Sequence, residues 1–527
     1  MGFGTGVEGL RRFSEWYTEL EFRDIPEDVI ELSKIEVANQ VAAVYSSLAV
    51  DDSTHGEFDR GGEGYRVVGD GWSDRFSSYY LNSLRSMRYD YDDYLFMGHS
   101  GHSAVFGSLV FAPSHGSGER FLKDVVAVNE LAGRIGAATA IGPYNGQMWS
   151  YIHAAGCAAV AALHRAGDPD SIADAVSLAL SQPSTPVREG FLAGDGKIQT
   201  ASISGVLGLR SGFLAGDGFR TDREVFDEFL DEKSFLALPE TLSGYGESWV
   251  TRTLSFKPYP GCAYLQSPIE LVDRNPVQGK VRFEVSAVTI EMDSVSERWL
   301  DGDSPVAVGF SLPYSTAAFR SGGIDTTSVS RGYLERNRRK IERIAEKTEV
   351  KHSWKHTYNV AEGLTDEFPV MVLIANRNPT SVAQGIKKLT SCYGVSARKL
   401  LMTGCYRDSV RKILTEDVDR GGFVSATEIF GDVAEIINPL SAKSFEFGEI
   451  DFDEIEFRFG ATMKSGGETF ELESHRGSCC DTVEERKRIV REKFVEEYSK
   501  LSEDAEETWE ILMNIEEEEI GEVVNSL

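Results

Sequence analysis

Residues 148–167 read MWSYIHAAGCAAVAALHRAG, and this stretch sets the expected fold class. Its apolar residues recur at helical spacing, and alanine and glycine fill many of its positions. Small side chains let two helices approach closely, so the stretch predicts a tightly packed helical domain. Residues 26–48 and 118–142 repeat the helical pattern, and residues 168–182 predict a further helix with Asp and Ser at its start.

The pattern changes near residue 275. Residues 281–292, VRFEVSAVTIEM, alternate apolar and polar side chains, which predicts a half-buried strand. Residues 452–474 predict two strands around a Gly-Gly turn, and residues 483–512 return to a helical pattern. Between these segments the sequence predicts helices at residues 333–350 and 381–394 and a strand at residues 369–376.

The predicted fold class is α plus α/β, with a large all-helical domain and a smaller α/β lid domain. We expect residues 1–267 to form the N-terminal part of the helical domain. Residues 268–480 would form the lid, including a possible insertion at about 360–450. Residues 481–527 would be closing helices that return to the helical domain.

The negative charge of the chain limits the classes of molecule that it is expected to bind. Its 527 residues carry 84 acidic and 54 basic side chains, a formal charge of −30 that is spread along the sequence. Such a surface repels nucleic acids and anionic membranes and is typical of proteins from salt-loving organisms. We find no apolar run of ~18 residues and no signal peptide, and six cysteines do not make a disulfide framework. The sequence therefore predicts a cytoplasmic, halophilic protein.

Residues 90–103, DYDDYLFMGHSGHS, concentrate aspartates and histidines. His99 and His102 could face one metal ion, with Asp90 or Asp93 as the third ligand. The same residues could instead form an acid/base site, cap a helix or make a solvated polar turn. The spacing alone leaves these alternatives open.

Residues 255–271, SFKPYPGCAYLQSPIEL, hold a lysine in a rigid setting. Two prolines around a tyrosine fix the backbone and give Lys257 a defined position. The stretch lies just before the change of pattern, where clefts between domains commonly form. The alternative is a rigid linker with a solvated lysine.

Both stretches resemble signatures of the MmgE/PrpD family, which includes 2-methylcitrate dehydratases, cis-aconitate decarboxylases and iminodisuccinate epimerases. Residues 257–271, KPYPGCAYLQSPIEL, resemble the family pattern KPYPCC...H.AID, and residues 90–105 resemble its DFDDT...HPSGAV segment. Three further stretches resemble the family in the same order along the chain: residues 149–167, 196–219 and 308–323.

The resemblance implies acid/base proton transfer, without metal or cofactor, next to a carboxylate of a small di- or tricarboxylate. Dehydration of a 2-methylcitrate-like hydroxy acid is the favoured reaction, while decarboxylation and epimerisation remain open. A catalytically inactive homologue that binds a carboxylate or only dimerises is the alternative from another class. Family members are usually homodimers, so we expect a homodimer.

Carried over by position, the resemblance assigns five catalytic candidates. His102 is the leading acid or base, and His99 is the alternative. Lys197 and Lys257 are expected to bind a substrate carboxylate or stabilise an enolate-like state. Asp90 is the fifth candidate, and either Asp90 or Asp93 is expected to orient a histidine or a ligand hydroxyl.

The resemblance also places Asp93, Tyr94, Gln147 and Cys262 at the substrate-binding wall. Tyr94 stands where the family has threonine, and Gln147 stands near the position of a family histidine. Gln266 replaces another family histidine. These departures motivate the hypothesis of an inactive homologue.

Overall fold

A computed structural model describes residues 5–50, 64–140, 150–185, 188–296, 304–365 and 450–527 of the chain. Helices dominate these ranges, and a small mixed β-sheet accompanies them. The helix-rich class predicted from the sequence is confirmed at this level.

The helices of the described ranges up to residue 233 are α1 (Gly6–Glu19), α2 (Glu27–Ala49), α3 (Arg75–Met87), α4 (Gly101–Leu109), α5 (Ala112–His115), α6 (Gly118–Ala138), α7 (Ser150–Arg165), α8 (Pro169–Leu180), α9 (Arg188–Ala193), α10 (Gln199–Gly216) and α11 (Glu224–Lys233). Those that follow are α12 (Gln266–Arg274), α13 (Ala287–Ser296), α14 (Pro305–Phe310), α15 (Leu312–Gly322), α16 (Arg331–Ala345), α17 (Trp354–Thr365), α18 (Val483–Tyr498), α19 (Ala505–Met513) and α20 (Ile520–Ser526). The strands are β1 (Tyr65–Val67), β2 (Gly71–Ser73), β3 (Asp93–Tyr94), β4 (Ser255–Phe256), β5 (Val281–Val285), β6 (Thr348–His352), β7 (Ala461–Ser465) and β8 (Glu468–Leu472).

Helices α7 and α10 pack against each other through small residues. On α7, all side chains from Ser150 to Ala162 are buried. On α10, a Cβ atom added at Gly208 would lie 2.2 Å from the carbonyl oxygen of Ala154. Only glycine permits this separation of the two backbones, and this is the close packing that the alanine-rich stretch predicts.

A four-stranded mixed sheet has the order β6-β5-β7-β8. Strand β5 runs parallel to β6 and antiparallel to β7, and β7 and β8 form a hairpin around Gly466 and Gly467. The hairpin confirms the prediction of two strands around the Gly-Gly turn. Residues 452–460, which the pattern included, precede β7 without forming a strand.

The strand predicted over residues 281–292 is shorter than expected. It ends at Val285, and helix α13 follows. The Ser286 hydroxyl accepts a hydrogen bond from the Thr289 backbone N–H at 3.4 Å, the arrangement of a helix N-cap. The predictions for residues 369–376 and 381–394 fall outside the described residues.

The two ends of the described chain meet in one core. The Tyr498 ring on α18 stacks on Tyr45 of α2 with centroids 4.1 Å apart. A separate hydrophobic core joins the sheet to α12–α16. Cys262 belongs to this core, although it precedes residue 268, where the lid domain is predicted to begin. Within the described ranges, each helix is too short or too polar to cross a membrane.

Candidate active site

Two short strands bring the aspartate-rich and proline-rich motifs together. Strand β3 pairs antiparallel with β4, so that Asp93 lies opposite Phe256 and Tyr94 opposite Ser255. The chain enters β3 through Asp90 and Asp92 and leaves β4 through Lys257. The two motifs, far apart in sequence, therefore form adjacent parts of one site.

Lys257 is fully buried beside the two aspartates. Its Nζ lies 2.8 Å from Asp90 Oδ1, 2.9 Å from the Asp90 carbonyl oxygen and 2.5 Å from Asp92 Oδ1. A lysine ammonium has three N–H donors, and all three are used within the protein. The role predicted for Lys257 as a direct ligand of a substrate carboxylate therefore does not fit this geometry.

Lys197 reaches the same aspartate from a short 3₁₀ turn, Asp195–Ile198. Its Nζ donates to Asp90 Oδ1 at 2.7 Å and lies 5.7 Å and 5.6 Å from the ring centroids of Phe191 and Phe310. Among the described residues, only Asp90 receives a hydrogen bond from this ammonium group, so two N–H donors remain for a ligand.

Asp90 itself has a left-handed backbone, with φ of 53°. A non-glycine residue rarely adopts this conformation, and such strain is concentrated at functional sites. The left-handed backbone, the two lysines and the tight contact with the proline-rich motif hold Asp90 in one orientation. The side chain of Asp90 bonds to the two lysines, whereas the predicted role was to orient a histidine or a ligand hydroxyl.

Asp92 connects Lys257 to both predicted histidines of the site. Its Oδ1 atom accepts from Lys257, and its Oδ2 atom lies 2.8 Å from His99 Nδ1 and 3.0 Å from His102 Nε2. The sequence analysis assigned roles to Asp90 and Asp93 and missed Asp92. Its place between two other aspartates was the signal in the sequence, but the sequence does not show that Asp92, and not Asp93, turns towards Lys257.

Charge pairing keeps the aspartates and Lys257 ionised. Burial opposes ionisation of Asp92, but Lys257, His99 and His102 outweigh it and hold the pKa of its carboxyl well below the ordinary value. Burial has the same effect on Asp90, and Lys197 and Lys257 lower the pKa of that carboxyl below its ordinary value. Burial disfavours the charged form of Lys257, but Asp90 and Asp92 raise its pKa above the usual range.

A narrow pocket opens beside this cluster, with room for about one water molecule. Its walls combine apolar side chains with ionisable ones. They are Met87, Asp92, His99, Ile152, His153, Phe191 and Lys197.

The two predicted histidines occupy different positions relative to the pocket. His99 lines it with 13% of its side chain exposed, and no described residue hydrogen-bonds its Nε2 atom. His102 is fully buried, with Nδ1 2.7 Å from Ser86 Oγ and Nε2 engaged by Asp92. Because both His102 nitrogens are engaged, His102 does not fit its predicted role of leading proton carrier, and His99 is the better candidate.

His153 on α7 is a second imidazole at the pocket, and the sequence analysis gave it no role in the site. The Ser103 hydroxyl donates to the carbonyl of Ser100 and lies 3.0 Å from His153 Nδ1. Burial, with smaller effects of His102 and His99, holds the pKa of His153 well below its ordinary value, so the ring is neutral. The signal in the sequence was a histidine among the small and apolar residues of a helix whose other histidine, His164, lies in its last turn.

Asp93 points away from the pocket and into a polar core network. Its Oδ1 accepts from Asn39 at 3.1 Å and from Gln40 at 2.6 Å. Burial and the charge of Asp92 raise the pKa of the Asp93 carboxyl. A Cβ atom at Gly101 would lie 2.5 Å from both carboxylate oxygens, so a glycine is needed there. Asp93 therefore does not fit the substrate-binding role predicted for it.

Tyr94 is also buried outside the pocket. Its hydroxyl lies 2.6 Å from His475 Nε2, while His475 Nδ1 donates to the Arg476 carbonyl at 2.7 Å. The hydroxyl therefore donates to Nε2, and burial lowers the pKa of His475 to about 4. Tyr94 thus anchors the segment around residue 475 instead of binding substrate, and the sequence analysis did not identify His475.

Cys262 and Gln266 belong to the wall behind the lysines. Cys262 is fully buried, and burial together with the Asp90 charge raises the pKa of its thiol to about 12. The side-chain amide of Gln266 hydrogen-bonds the backbone of Tyr259 on both its N–H and its carbonyl, which fixes the proline-rich turn. Cys262 does not line the pocket, so it does not fit the substrate-binding role predicted for it. Gln147 lies outside the described residues.

Lys493 on α18 supports the aspartate segment through hydrogen bonds. Its Nζ lies 2.8 Å from Asn39 Oδ1 and also donates to the Tyr91 carbonyl. Burial lowers the pKa of Lys493 to about 7, although Asp92 and Asp93 oppose this effect. The C-terminal helices thereby contribute directly to the shape of the site.

The arrangement also bears on the metal alternative. Asp90, Asp92 and His99 offer ligand atoms within 4.8 Å of one another. The ammonium groups of Lys197 and Lys257 bind these same carboxylates and neutralise them, so a cation would have to displace both lysines. Asp93, a ligand in the sequence-based alternative, faces the opposite side. The site is therefore better suited to proton transfer than to cation binding.

A scan against protein-family models finds no family that matches the chain, and a search of curated proteins likewise finds no match.

Proposed function

We propose that the protein is an MmgE/PrpD-type lyase or isomerase. It would move a proton at a carbon next to a carboxylate of a small polycarboxylate, using acid/base groups and no cofactor. Dehydration of a 2-methylcitrate-like hydroxy acid is the favoured reaction, and decarboxylation or epimerisation, each of which also needs proton transfer at such a carbon, remains open. The sequence resemblance and the composition of the pocket support this proposal.

One observation carries the proposal. Lys197, His99 and His153 line a single small pocket, and each has hydrogen-bonding capacity directed away from its protein partners. A cation and two imidazoles are the groups that proton abstraction next to a carboxylate needs. The two N–H donors of Lys197 would bind that carboxylate and stabilise the charge that develops on it.

The imidazoles take different roles because their environments differ. Burial keeps His153 neutral, so it is the base that accepts the proton from carbon. The ionised Asp92 carboxylate at His99 Nδ1 orients that ring and compensates a positive charge on it. His99 is then the acid that protonates a leaving hydroxyl or the opposite face of the carbon. Asp90, Lys257 and His102 are positioning residues for this pair.

The test is hydrogen exchange at carbon in deuterated water. The protein at high salt is incubated with 2-methylcitrate, citrate, cis-aconitate or iminodisuccinate, and deuterium in the carbon skeleton is measured by NMR. We expect deuterium incorporation with at least one ligand, and at least a ~100-fold loss of its rate in His99→Gln and Lys197→Met.

His164→Gln is the matched control for His99. His164 is another histidine paired with a buried aspartate, with 15% of its side chain exposed and Nε2 2.6 Å from Asp124 Oδ2, outside the pocket. This variant should keep the wild-type exchange rate. Undiminished exchange in both His99→Gln and Lys197→Met would contradict the proposal.

The second candidate function is a catalytically inactive carboxylate-binding homologue. Gln266 favours it, because an amide that is fully committed to the backbone of the proline-rich turn occupies a family histidine position. Calorimetric binding of a polycarboxylate without deuterium exchange would favour this alternative. Binding with exchange would favour the enzyme.

The proposal extends to architecture and assembly. Residues 268–480 would form a lid domain over the pocket, and the protein would be a cytoplasmic homodimer. Exposed apolar side chains on α10 support an interface there, with Ile203 46% and Leu214 45% exposed. Light scattering at high salt should give twice the chain mass, and replacing both residues with aspartate should give the monomer mass. A monomeric wild-type protein would contradict the dimer.

A further inference from the structure

Two adjacent cysteines occupy the centre of a tight turn near the candidate site. The backbone N–H of Asp481 donates to the Ser478 carbonyl at 3.0 Å, which closes a turn with Cys479 and Cys480 at its central positions. Both cysteines are free thiols and half-buried. The two thiols are therefore carried by consecutive residues at the centre of one turn.

The turn is fixed on both sides. The Cys479 backbone N–H donates to Ser255 Oγ at 2.8 Å, and the Gly477 carbonyl accepts from the Phe256 backbone N–H at 2.7 Å. Gly477 N–H in turn donates to Asp481 Oδ2 at 2.6 Å. These bonds hold the thiol pair against β4, so little conformational freedom is lost when the two sulfur atoms react with each other.

Cys480 differs in reactivity from the other thiols that the structure describes, including Cys479, whose pKa the contact with Cys480 and burial raise well above its ordinary value. Hydrogen bonds from Cys479 and Arg458 lower the pKa of Cys480 to about 7, so a large share of Cys480 is thiolate near neutral pH. Cys157 and Cys262 are fully buried, and burial raises the pKa of each thiol to about 12. A nucleophilic thiol beside a second thiol is the arrangement found in redox-active cysteine pairs.

We propose that Cys479 and Cys480 form a redox-active dithiol that closes reversibly to a disulfide by exchange with a low-molecular-weight disulfide. The Cys480 thiolate attacks one sulfur of the small disulfide, whose S–S bond breaks and releases one thiolate, and this thiolate takes up the proton that Cys480 had lost to the solvent. The Cys479 sulfur then attacks the Cys480 sulfur, and its proton goes to the second thiol that leaves. The cysteine pair loses two electrons, and the small disulfide gains two and becomes two thiols.

A disulfide between neighbouring residues closes a small, strained ring. Strained disulfides are more easily reduced than structural ones, which is the property of a reversible site. The proposal is independent of the reaction proposed for the pocket, because it rests on the turn and its thiols alone.

Peptide mapping tests the proposal directly. The folded protein is incubated with oxidised glutathione, its remaining thiols are alkylated, and the protein is digested with trypsin. The peptide of residues 477–486, GSCCDTVEER, contains both cysteines and no other. We expect both cysteines of this peptide to escape alkylation, and the peptide to be lighter by two hydrogen atoms than the reduced, unalkylated peptide. After treatment with dithiothreitol it should accept two alkyl groups. Peptides that carry Cys157 or Cys262 should remain alkylatable.

Two variants separate the chemical steps. Cys479→Ser should stop at one glutathione on Cys480, and Cys480→Ser should react at least ~10-fold more slowly, because the thiolate is the nucleophile. In the wild-type protein, a peptide that stays fully alkylated, keeps one glutathione or links two chains would overturn the proposal. These wild-type readouts need no variant, so a failure of either variant to fold leaves the test intact.

Discussion

Replacing Lys257 with methionine removes one positive charge from a fully buried cluster and keeps most of the side-chain volume. The wild-type ammonium group makes three charge-assisted hydrogen bonds, two to Asp90 and one to Asp92. In the variant Asp90 keeps Lys197, and Asp92 keeps only its two histidine partners. Two carboxylates would remain buried with one cation fewer.

We expect this substitution to lower the free energy of unfolding by about 4 kcal/mol near pH 7.5, because removal of one partner from a buried ion pair typically costs ~3–5 kcal/mol. The sign of the pH dependence follows from Asp92. In the wild-type protein its pKa is depressed, so its contribution is complete above the unfolded value and is lost only as the pH falls through the folded value.

Without Lys257, burial of Asp92 is no longer outweighed, and the pKa of its carboxyl rises. Protonation then relieves the buried charge in the variant as the pH is lowered. The difference between variant and wild type should therefore shrink by at least ~1 kcal/mol between about pH 7.5 and 5.5, since one pKa unit corresponds to ~1.4 kcal/mol.

The assay is urea unfolding followed by tryptophan fluorescence at constant salt. A double-mutant cycle with Asp92→Asn should give a favourable coupling of at least ~2 kcal/mol. Lys34→Met is the matched control, because Lys34 also has three partners, the Met513 carbonyl, Glu31 and Glu516, but these two glutamates are 19% and 26% exposed and can be hydrated. This control should cost about 1 kcal/mol. If Lys257→Met costs no more than the control, or its cost is the same at both pH values, the reasoning is refuted.

Three further predictions follow from individual residues of the site. Because Asp90 has a φ of 53°, Asp90→Gly should be about 1 kcal/mol more stable than Asp90→Ala by calorimetry, and equal stability would argue against backbone strain there. Gly101→Ala should cost about 2 kcal/mol of unfolding free energy in urea, because its Cβ would overlap the Asp93 carboxylate; a neutral substitution would mean that this carboxylate can move. Because the pKa of Lys493 is depressed to about 7, the unfolded chain binds more protons than the folded protein between about pH 7 and 10.5, and the free energy of unfolding should rise with pH over that range. Urea titrations should find this rise in the wild type and a smaller one in Lys493→Met. Identical slopes in the two proteins would contradict the prediction.

Local signals in the sequence predicted several of the helices, among them α2, α6, α7, α8, α16 and α18. Helical spacing and small residues identified α7, and the close contact at Gly208 is their direct consequence. The strand over residues 281–292 failed beyond Val285, because a serine cap starts a helix there although the alternation of apolar and polar residues continues. Capping chemistry competed with periodicity, and it determined the local structure.

The site was predicted in part, for a similar reason. The sequence indicated the Asp90, Lys197 and Lys257 neighbourhood, but it could not reveal which side chains face the pocket. That depends on the backbone direction at β3, which turns Asp92 towards the lysines and Asp93 into the core. Partners from remote segments, such as Lys493, carry no local pattern that would have marked them.

The pairing of remote segments has a consequence for the time course of folding. Lys257 meets Asp92 across 165 residues, and Lys493 meets the Tyr91 carbonyl across 402. Contacts of such separation carry a large loop-closure entropy, so we expect them to form after the barrier to folding has been crossed. Substitutions in this cluster should then accelerate unfolding while refolding proceeds at nearly the wild-type rate. The lifetime of the native state would depend on the same lysines and aspartates that organise the pocket.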